Sequence, residues 1–248
     1  MKLVLRALLG LAAALAAAGA AAGAEVRVAV AANFTEPAQE IARGFEAATG
    51  HRAVLSFGSS GQFYAQIANG APFEVFLSAD RERPQKAEAQ GLAVAGTRFT
   101  YATGRLVLWS RTPGLVTGQS TLARGGFDKL AIADPKTAPY GLAAVETLRK
   151  LGLHRRLSPK LVQGASIAQT YQFASTGAAE LGFVALSQVA GTRGGSRWVV
   201  PASLHSPIEQ QAVLLKPGAD DPAARAFLAY LKGPQARAVI RRYGYEAD

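Results

Sequence analysis

Two short uncharged loops carry the residues of this chain best suited to chemistry: Ala31-Ala32-Asn33-Phe34-Thr35 and Phe57-Gly58-Ser59-Ser60-Gly61. Each follows a strand-like apolar run and opens a helix-like one. A helix start presents N–H groups without intrahelical acceptors and the positive end of the helix dipole, so two such starts together make a site for a small anion. Neither loop contains Lys or Arg. The chemistry on offer is therefore reversible capture of an anion by hydrogen bonds, rather than a reaction upon it. Asp134-Pro135-Lys136-Thr137-Ala138-Pro139-Tyr140-Gly141 has the same strand-to-helix character, and a fourth helix start falls near Ile167.

A fully deprotonated tetrahedral oxyanion presents only acceptors, so its ideal cage contains only donors. Asn33, Ser60 and Tyr140 offer amide or hydroxyl donors, with Ala32 and Ser59 beside them in the same loops. Helix starts near Asn33, Ser60, Tyr140 and Ile167 add backbone N–H groups. Phosphate keeps a proton near neutral pH and calls for an acceptor such as Asp. The single carboxylate in these segments, Asp134, precedes a proline and is expected to start a turn. Each residue also has a plainer use: Asn33 and Ser60 suit a helix cap or turn, Tyr140 a surface ring, and Ile167 the core. Their recurrence at successive strand-to-helix junctions is what points to one shared site.

The elements that must position these residues follow from hydrophobic periodicity. Val26 to Ala31 predicts a buried strand; Ala38, Ile41, Ala42 and Phe45 then fall at helical spacing, with Pro37 in the first turn and Gly50 as a stop. A strand over Val54 to Phe57, a helix from about Gln62 to Asn69 and a strand over Phe73 to Leu77 complete a βαβαβ unit, the signature of a parallel sheet covered by helices. The pattern restarts with strands over Leu106 to Trp109 and Leu130 to Ala133, then a helix from Pro139 to Leu151 with Leu142, Val145 and Leu148 on one face. Strands over Leu161 to Gln163, Gly182 to Ala185, Trp198 to Val200 and Gln211 to Leu215 follow, with a helix near Ser166 to Ser175. Helices over Pro222 to Leu231 and Pro234 to Tyr243 end the chain. Two α/β units predict two lobes flanking a cleft, with the ligand outside the carboxyl ends of the strands.

Composition narrows the function classes. The chain has 248 residues and a net charge of +10, which falls to +8 if a leader carrying Lys2 and Arg6 is removed. Such a leader is predicted: a basic start, an Ala/Leu-rich stretch to about Ala22, and a small-x-small site at Ala22-Gly23-Ala24, so that the mature chain begins at Glu25. A membrane anchor is the alternative use of that stretch. With no cysteine, a disulfide framework, a thiolate metal site, a cysteine nucleophile and N-terminal lipidation on cysteine are excluded. The basic residues (Arg81, Arg83, Arg155, Arg156, Arg193, Arg241, Arg242) are scattered without aromatic interleaving, so they read as solvated surface rather than a nucleic-acid face. His51, His154 and His205 have no metal-ligand spacing, and Gly58-Ser59-Ser60-Gly61 is neither a nucleophile elbow nor a phosphate-cradling loop. No enzyme activity and no cofactor are expected.

At this point the chain resembles the periplasmic molybdate-binding proteins of ABC transporters. The resemblance is carried by Ala31 to Thr35, by Phe57-Gly58-Ser59-Ser60-Gly61, and by the block Asn69-Gly70-Ala71-Pro72-Phe73-Glu74-Val75-Phe76-Leu77-Ser78-Ala79-Asp80. It continues through Ala133-Asp134-Pro135, Pro139-Tyr140-Gly141, the Tyr230 to Ala236 segment and Arg242-Tyr243-Gly244-Tyr245. It implies an α/β, two-lobed type II periplasmic binding protein, each lobe a mixed, mainly parallel sheet flanked by helices, closing on molybdate or tungstate for delivery to a membrane permease. The implied division is a signal peptide over 1–24, lobes over 25–103 and 104–208, and a return segment over 209–248 packing on the first lobe. The implied ligands are Asn33, Ser60, Tyr140 and Ile167, the last through its backbone N–H. Where many members carry a tyrosine hydroxyl this chain has Ala185, and Tyr140 stands where they often have alanine, so its hydroxyl is expected to take over. The protein is expected to be a periplasmic monomer. Sulfate, thiosulfate or another small tetrahedral anion is the alternative ligand, and a receptor in place of a permease the alternative partner.

Overall fold

A computed structural model describes residues 23–247, so the predicted leader lies almost wholly outside the described residues. The first lobe begins with β1 (Glu25–Ala31), α1 (Thr35–Thr49), β2 (Arg52–Gly58), α2 (Ser60–Ala68), β3 (Val75–Leu77), α3 (Glu82–Ala89) and β4 (Phe99–Gly104). The second contains β5 (Leu106–Ser110), α4 (Ser120–Arg124), β6 (Leu130–Ala133), α5 (Pro139–Lys150), α6 (His154–Leu157), β7 (Leu161–Gly164), α7 (Ile167–Thr176), β8 (Leu181–Ala185), α8 (Leu186–Val189) and β9 (Ser196–Val199). The chain then returns as β10 (Ile208–Leu214), α9 (Pro222–Leu231) and α10 (Pro234–Arg242).

The two sheets have the same plan. One runs β2-β1-β3-β10-β4 and the other β7-β6-β8-β5-β9. In each, three strands pair in parallel and two join antiparallel: β1 with β2 and β3, then β10 against β3 and β4; β6 with β7 and β8, then β5 against β8 and β9. The expected sheets are thus mixed, and their parallel part is the three-stranded half that carries the loops of interest. The chain passes between the sheets from β4 to β5 and from β9 to β10.

Each lobe buries its own core. Val26, Val28, Val30, Phe34, Ile41 and Phe45 pack with Phe227, Leu231 and Ile240 of the two C-terminal helices. Leu106, Leu108, Leu130, Ile132, Leu148 and Phe183 form the heart of the other lobe, whose cluster also reaches across to Ala31, Ala32 and Ala79. One expectation fails. Leu142 is 45% exposed, because α5 buries a face centred on Gly141, Ala144 and Leu148, and Leu142 lies about 200° round the helix from Ala144. Among the described residues, no helix is long and apolar enough to cross a membrane.

Candidate functional site

The carboxyl ends of β1, β2 and β3 meet those of β6 and β7 around a small, tightly lined cavity. Its walls are Ala31, Ala32, Asn33, Gly58, Ser59, Ser60, Ala79, Ala138, Pro139, Tyr140 and Ile167. The structure thus brings together all six residues singled out in the sequence, three segments from one lobe and two from the other. No Lys, Arg, Asp, Glu or His stands in this wall.

Hydrogen bonding at the helix starts shows what they leave for a ligand. Ser59 is extended and caps α2: its Oγ accepts the Gln62 N–H at 3.4 Å, and its own N–H donates to Gln62 Oε1. Gly61 N–H donates to Thr137 O at 2.9 Å and Phe63 N–H to Ser59 O, which leaves the Ser60 N–H over. In α5, Pro139 has no N–H, and Gly141 and Leu142 both donate to Ala138 O, leaving Tyr140. In α7, Gln169 donates to Ser166 Oγ and Thr170 to Ser166 O, leaving Ile167 and Ala168. The helix-start N–H groups left over therefore include those of the predicted residues Ser60, Tyr140 and Ile167. Ser60 Oγ accepts the Ala79 N–H at 2.9 Å, so the acceptor side of that hydroxyl is engaged and its proton remains to donate.

Asn33 is 3% exposed and its side chain runs into the fold. Its Nδ2 donates to Gln210 Oε1 at 2.7 Å and to Tyr245 Oη at 2.9 Å, so both amide hydrogens are used within the protein. Its carbonyl accepts from Ser187 Oγ at 2.8 Å, and Tyr245 Oη lies 2.8 Å from both that carbonyl and Ser187 Oγ. Tyr140 is not a surface ring but is 1% exposed. Its hydroxyl sits against the β4–β5 crossing, where a Cβ on Gly104 would come within 2.1 Å of it and 3.0 Å of Gln210 Nε2. Only glycine leaves room there. Among the described residues, neither the Tyr140 hydroxyl nor Gln210 Nε2 has a hydrogen-bond partner. Burial pushes the Tyr101 and Tyr140 phenols well above their ordinary value and Tyr245 up to about 12, so all three stay protonated donors.

The rim of the cleft is bridged as well. Arg83, expected as solvated surface, is ion-paired with Asp80, and its Nη2 donates to Lys136 O at 3.0 Å across the cleft. The turn it reaches is built as expected around Asp134, whose carboxylate accepts Lys136 N–H and Thr137 Oγ1. A Cβ on Gly61 would come within 2.8 Å of Thr137 Cα, so the backbones touch here because position 61 has no side chain.

Ser187, Gln210, Tyr245 and Arg83 were missed by sequence reasoning. A signal existed for Gln210, a polar residue in a strand-like run, and for Tyr245, within a segment that carries the resemblance. Among the described residues, no group of His, Cys, Asp and Glu side chains is arranged to hold a metal ion.

Residues 26–246 match the family described as bacterial extracellular solute-binding proteins. The chain is 57% identical over 224 residues to the molybdate-binding protein ModA of Rhodobacter capsulatus, covering 90% of this chain and 89% of that one. It is 59% identical over 225 residues to the ModA of Azotobacter vinelandii, with 89% of each chain covered. The solved structure of an Azotobacter vinelandii periplasmic molybdate-binding protein superposes with a TM-score of 0.87 at 45% identity, covering 90% of this chain and 99% of that one. A cleft with free backbone N–H groups between two sheets of one plan is thus set in a chain that belongs to the bacterial extracellular solute-binding protein family and is similar to molybdate-binding proteins within it.

Proposed function

We propose that this protein captures molybdate, and tungstate with it, in the cavity between its lobes and hands it to the permease of an ABC transporter. The observation that carries this reading is the uncharged wall at the meeting of four strand-to-helix junctions, where the Ser60, Tyr140 and Ile167 N–H groups are left over. Ser60 gives its hydroxyl proton and N–H, Tyr140 and Ile167 give N–H groups, and Asn33 gives its backbone N–H while its amide anchors the loop. Ala32 and Ser59 form the wall beside them. Burying a bare dianion is costly unless it is hydrogen-bonded, and fixed dipoles supply those bonds without a counter-charge. Molybdate and tungstate are larger than sulfate, so a cage set to their size leaves donors unsatisfied around sulfate.

The remaining roles follow from this reading. Residues 1–24 direct export to the periplasm and are removed. Residues 25–103 and 104–208 are the lobes, with 209–248 returning to the first. The protein works as a monomer, without catalysis or a cofactor, and the closed pair of lobes is what the permease recognises. Calorimetric titration of the chain from Glu25 with molybdate, tungstate and sulfate tests the proposal. Tight one-to-one binding of the first two with no sulfate heat is expected; sulfate binding as tightly would make this a general tetrahedral-anion protein.

A further inference from the structure

Three distant segments converge on Asn33, and none of them lines the inner cavity. Tyr245 comes from the C-terminal tail, Ser187 from the first turn of α8 in the second lobe, and Gln210 from β10. The tail is stitched to β4 by reciprocal bonds between Thr103 and Glu246 (2.8 and 3.1 Å), and the Tyr245 ring packs edge-on against Phe34 at 5.4 Å. We propose that Tyr245, Ser187 and Gln210 are positioning residues that clasp Asn33, aim its loop at the anion and hold the lobes closed. The inference rests on reading the inner cavity as the oxyanion site.

The chemistry requires such a device. A ligand that presents only acceptors is repelled by any carbonyl turned towards it, and the backbone of Ala31, Ala32 and Asn33, which lines the wall, carries a carbonyl for every N–H. In a helical turn the carbonyls point one way and the N–H groups the other. The Asn33 carbonyl is held by the Ser187 hydroxyl, with Tyr245 Oη beside it, and the Asn33 amide is held by Gln210 and Tyr245. Anchoring both ends leaves the turn one orientation, with N–H groups forward. Asn33 and Ser187 belong to different lobes, so this bond exists only when the cleft is shut. Breaking it is part of opening, and the clasp slows release of the anion more than it affects capture.

The experiment measures molybdate affinity, molybdate dissociation by stopped flow and ligand-free melting for wild type, Ser187→Ala, Tyr245→Phe and the double variant. Each single change is expected to weaken molybdate binding about five- to tenfold, mainly through faster dissociation, with the ligand-free melting of Ser187→Ala close to wild type. The double variant is expected to lose less than the product of the two, because both hydroxyls serve one carbonyl. Wild-type dissociation rates in both single variants would overturn the clasp, as would slower association with unchanged release. Failure of the wild-type protein to bind molybdate would instead overturn the reading of the cavity, and the clasp with it.

Discussion

The two lobes share one sheet plan but furnish the cavity differently. The first contributes a side-chain donor, the Ser60 hydroxyl, and two loops fixed by side chains: Ser59 caps α2, and Asn33 is anchored at both polar ends. On the proposed reading the second contributes backbone N–H groups, from Tyr140 and Ile167, while the Tyr140 hydroxyl, expected from the sequence to serve the ligand, lies instead beside Gly104 at the crossing between the sheets. The first lobe's side-chain donor can therefore be deleted by substitution, whereas the second lobe's backbone donors can only be moved. That difference orders the expected effects of mutation.

The largest effect is expected where the second lobe is kept away. Gly61→Val places a side chain where Thr137 backbone now sits, so closure fails and molybdate binding should weaken more than a hundredfold, with melting of the free protein little changed. Normal affinity in that variant would show that the rim contact is dispensable. Next is Ser60→Ala, which deletes a donor to a charged ligand worth about 1.5–3 kcal/mol, or about ten- to a hundredfold in affinity by calorimetry. Tyr140→Phe should change molybdate affinity by less than threefold and raise the melting temperature, since the hydroxyl it removes is buried without a partner. A tenfold loss there would place a side-chain donor in the second lobe and erase the contrast.

The smallest effect concerns pH. The inner wall holds no group that titrates near neutrality, so molybdate affinity should stay flat from about pH 6 to 9, as titrations across that range would show. Stability behaves otherwise in the second lobe. Burial alone would raise the Glu180 carboxyl, but bonds from its own N–H and those of Lys129 and Asp128 outweigh it and hold the carboxyl below its ordinary value. A lowered folded value means stabilisation that is present above the ordinary carboxylate range and lost as pH falls through it. Glu180→Gln should therefore lower the melting temperature slightly at pH 7 and converge with wild type in acid. The effect is small because the side chain is only half-buried and is still screened by solvent.

What the sequence made legible was local. The placement of Ser60, Tyr140 and Ile167 at helix starts facing one cavity was legible because a helix start is written in adjacent residues: a serine cap before α2, Ala138-Pro139 before α5, Ser166 before α7. Asp134 was read correctly as a turn for the same reason. The Asn33 anchor was illegible because its partners lie 177 and 212 positions away, and only the fold of the return segment brings them near. The hidden Tyr140 hydroxyl depends likewise on Gly104, an unremarked glycine at the crossing between sheets. Leu142 misled because hydrophobicity was weighted above phase: the buried face of α5 is made partly of glycine and alanine, so that the helix can lie close to β6.

A crystal structure of the chain from Glu25 with molybdate bound tests the central claim most directly. The account predicts the anion in the inner cavity, within about 2.6–3.2 Å of the Ser60 Oγ and of the Ser60, Tyr140 and Ile167 backbone nitrogens. No Lys or Arg should touch it, and the Asn33 amide should still rest on Gln210 and Tyr245. An anion paired with an arginine, or an Asn33 amide swung onto the ligand with the Gln210 bond broken, would contradict it.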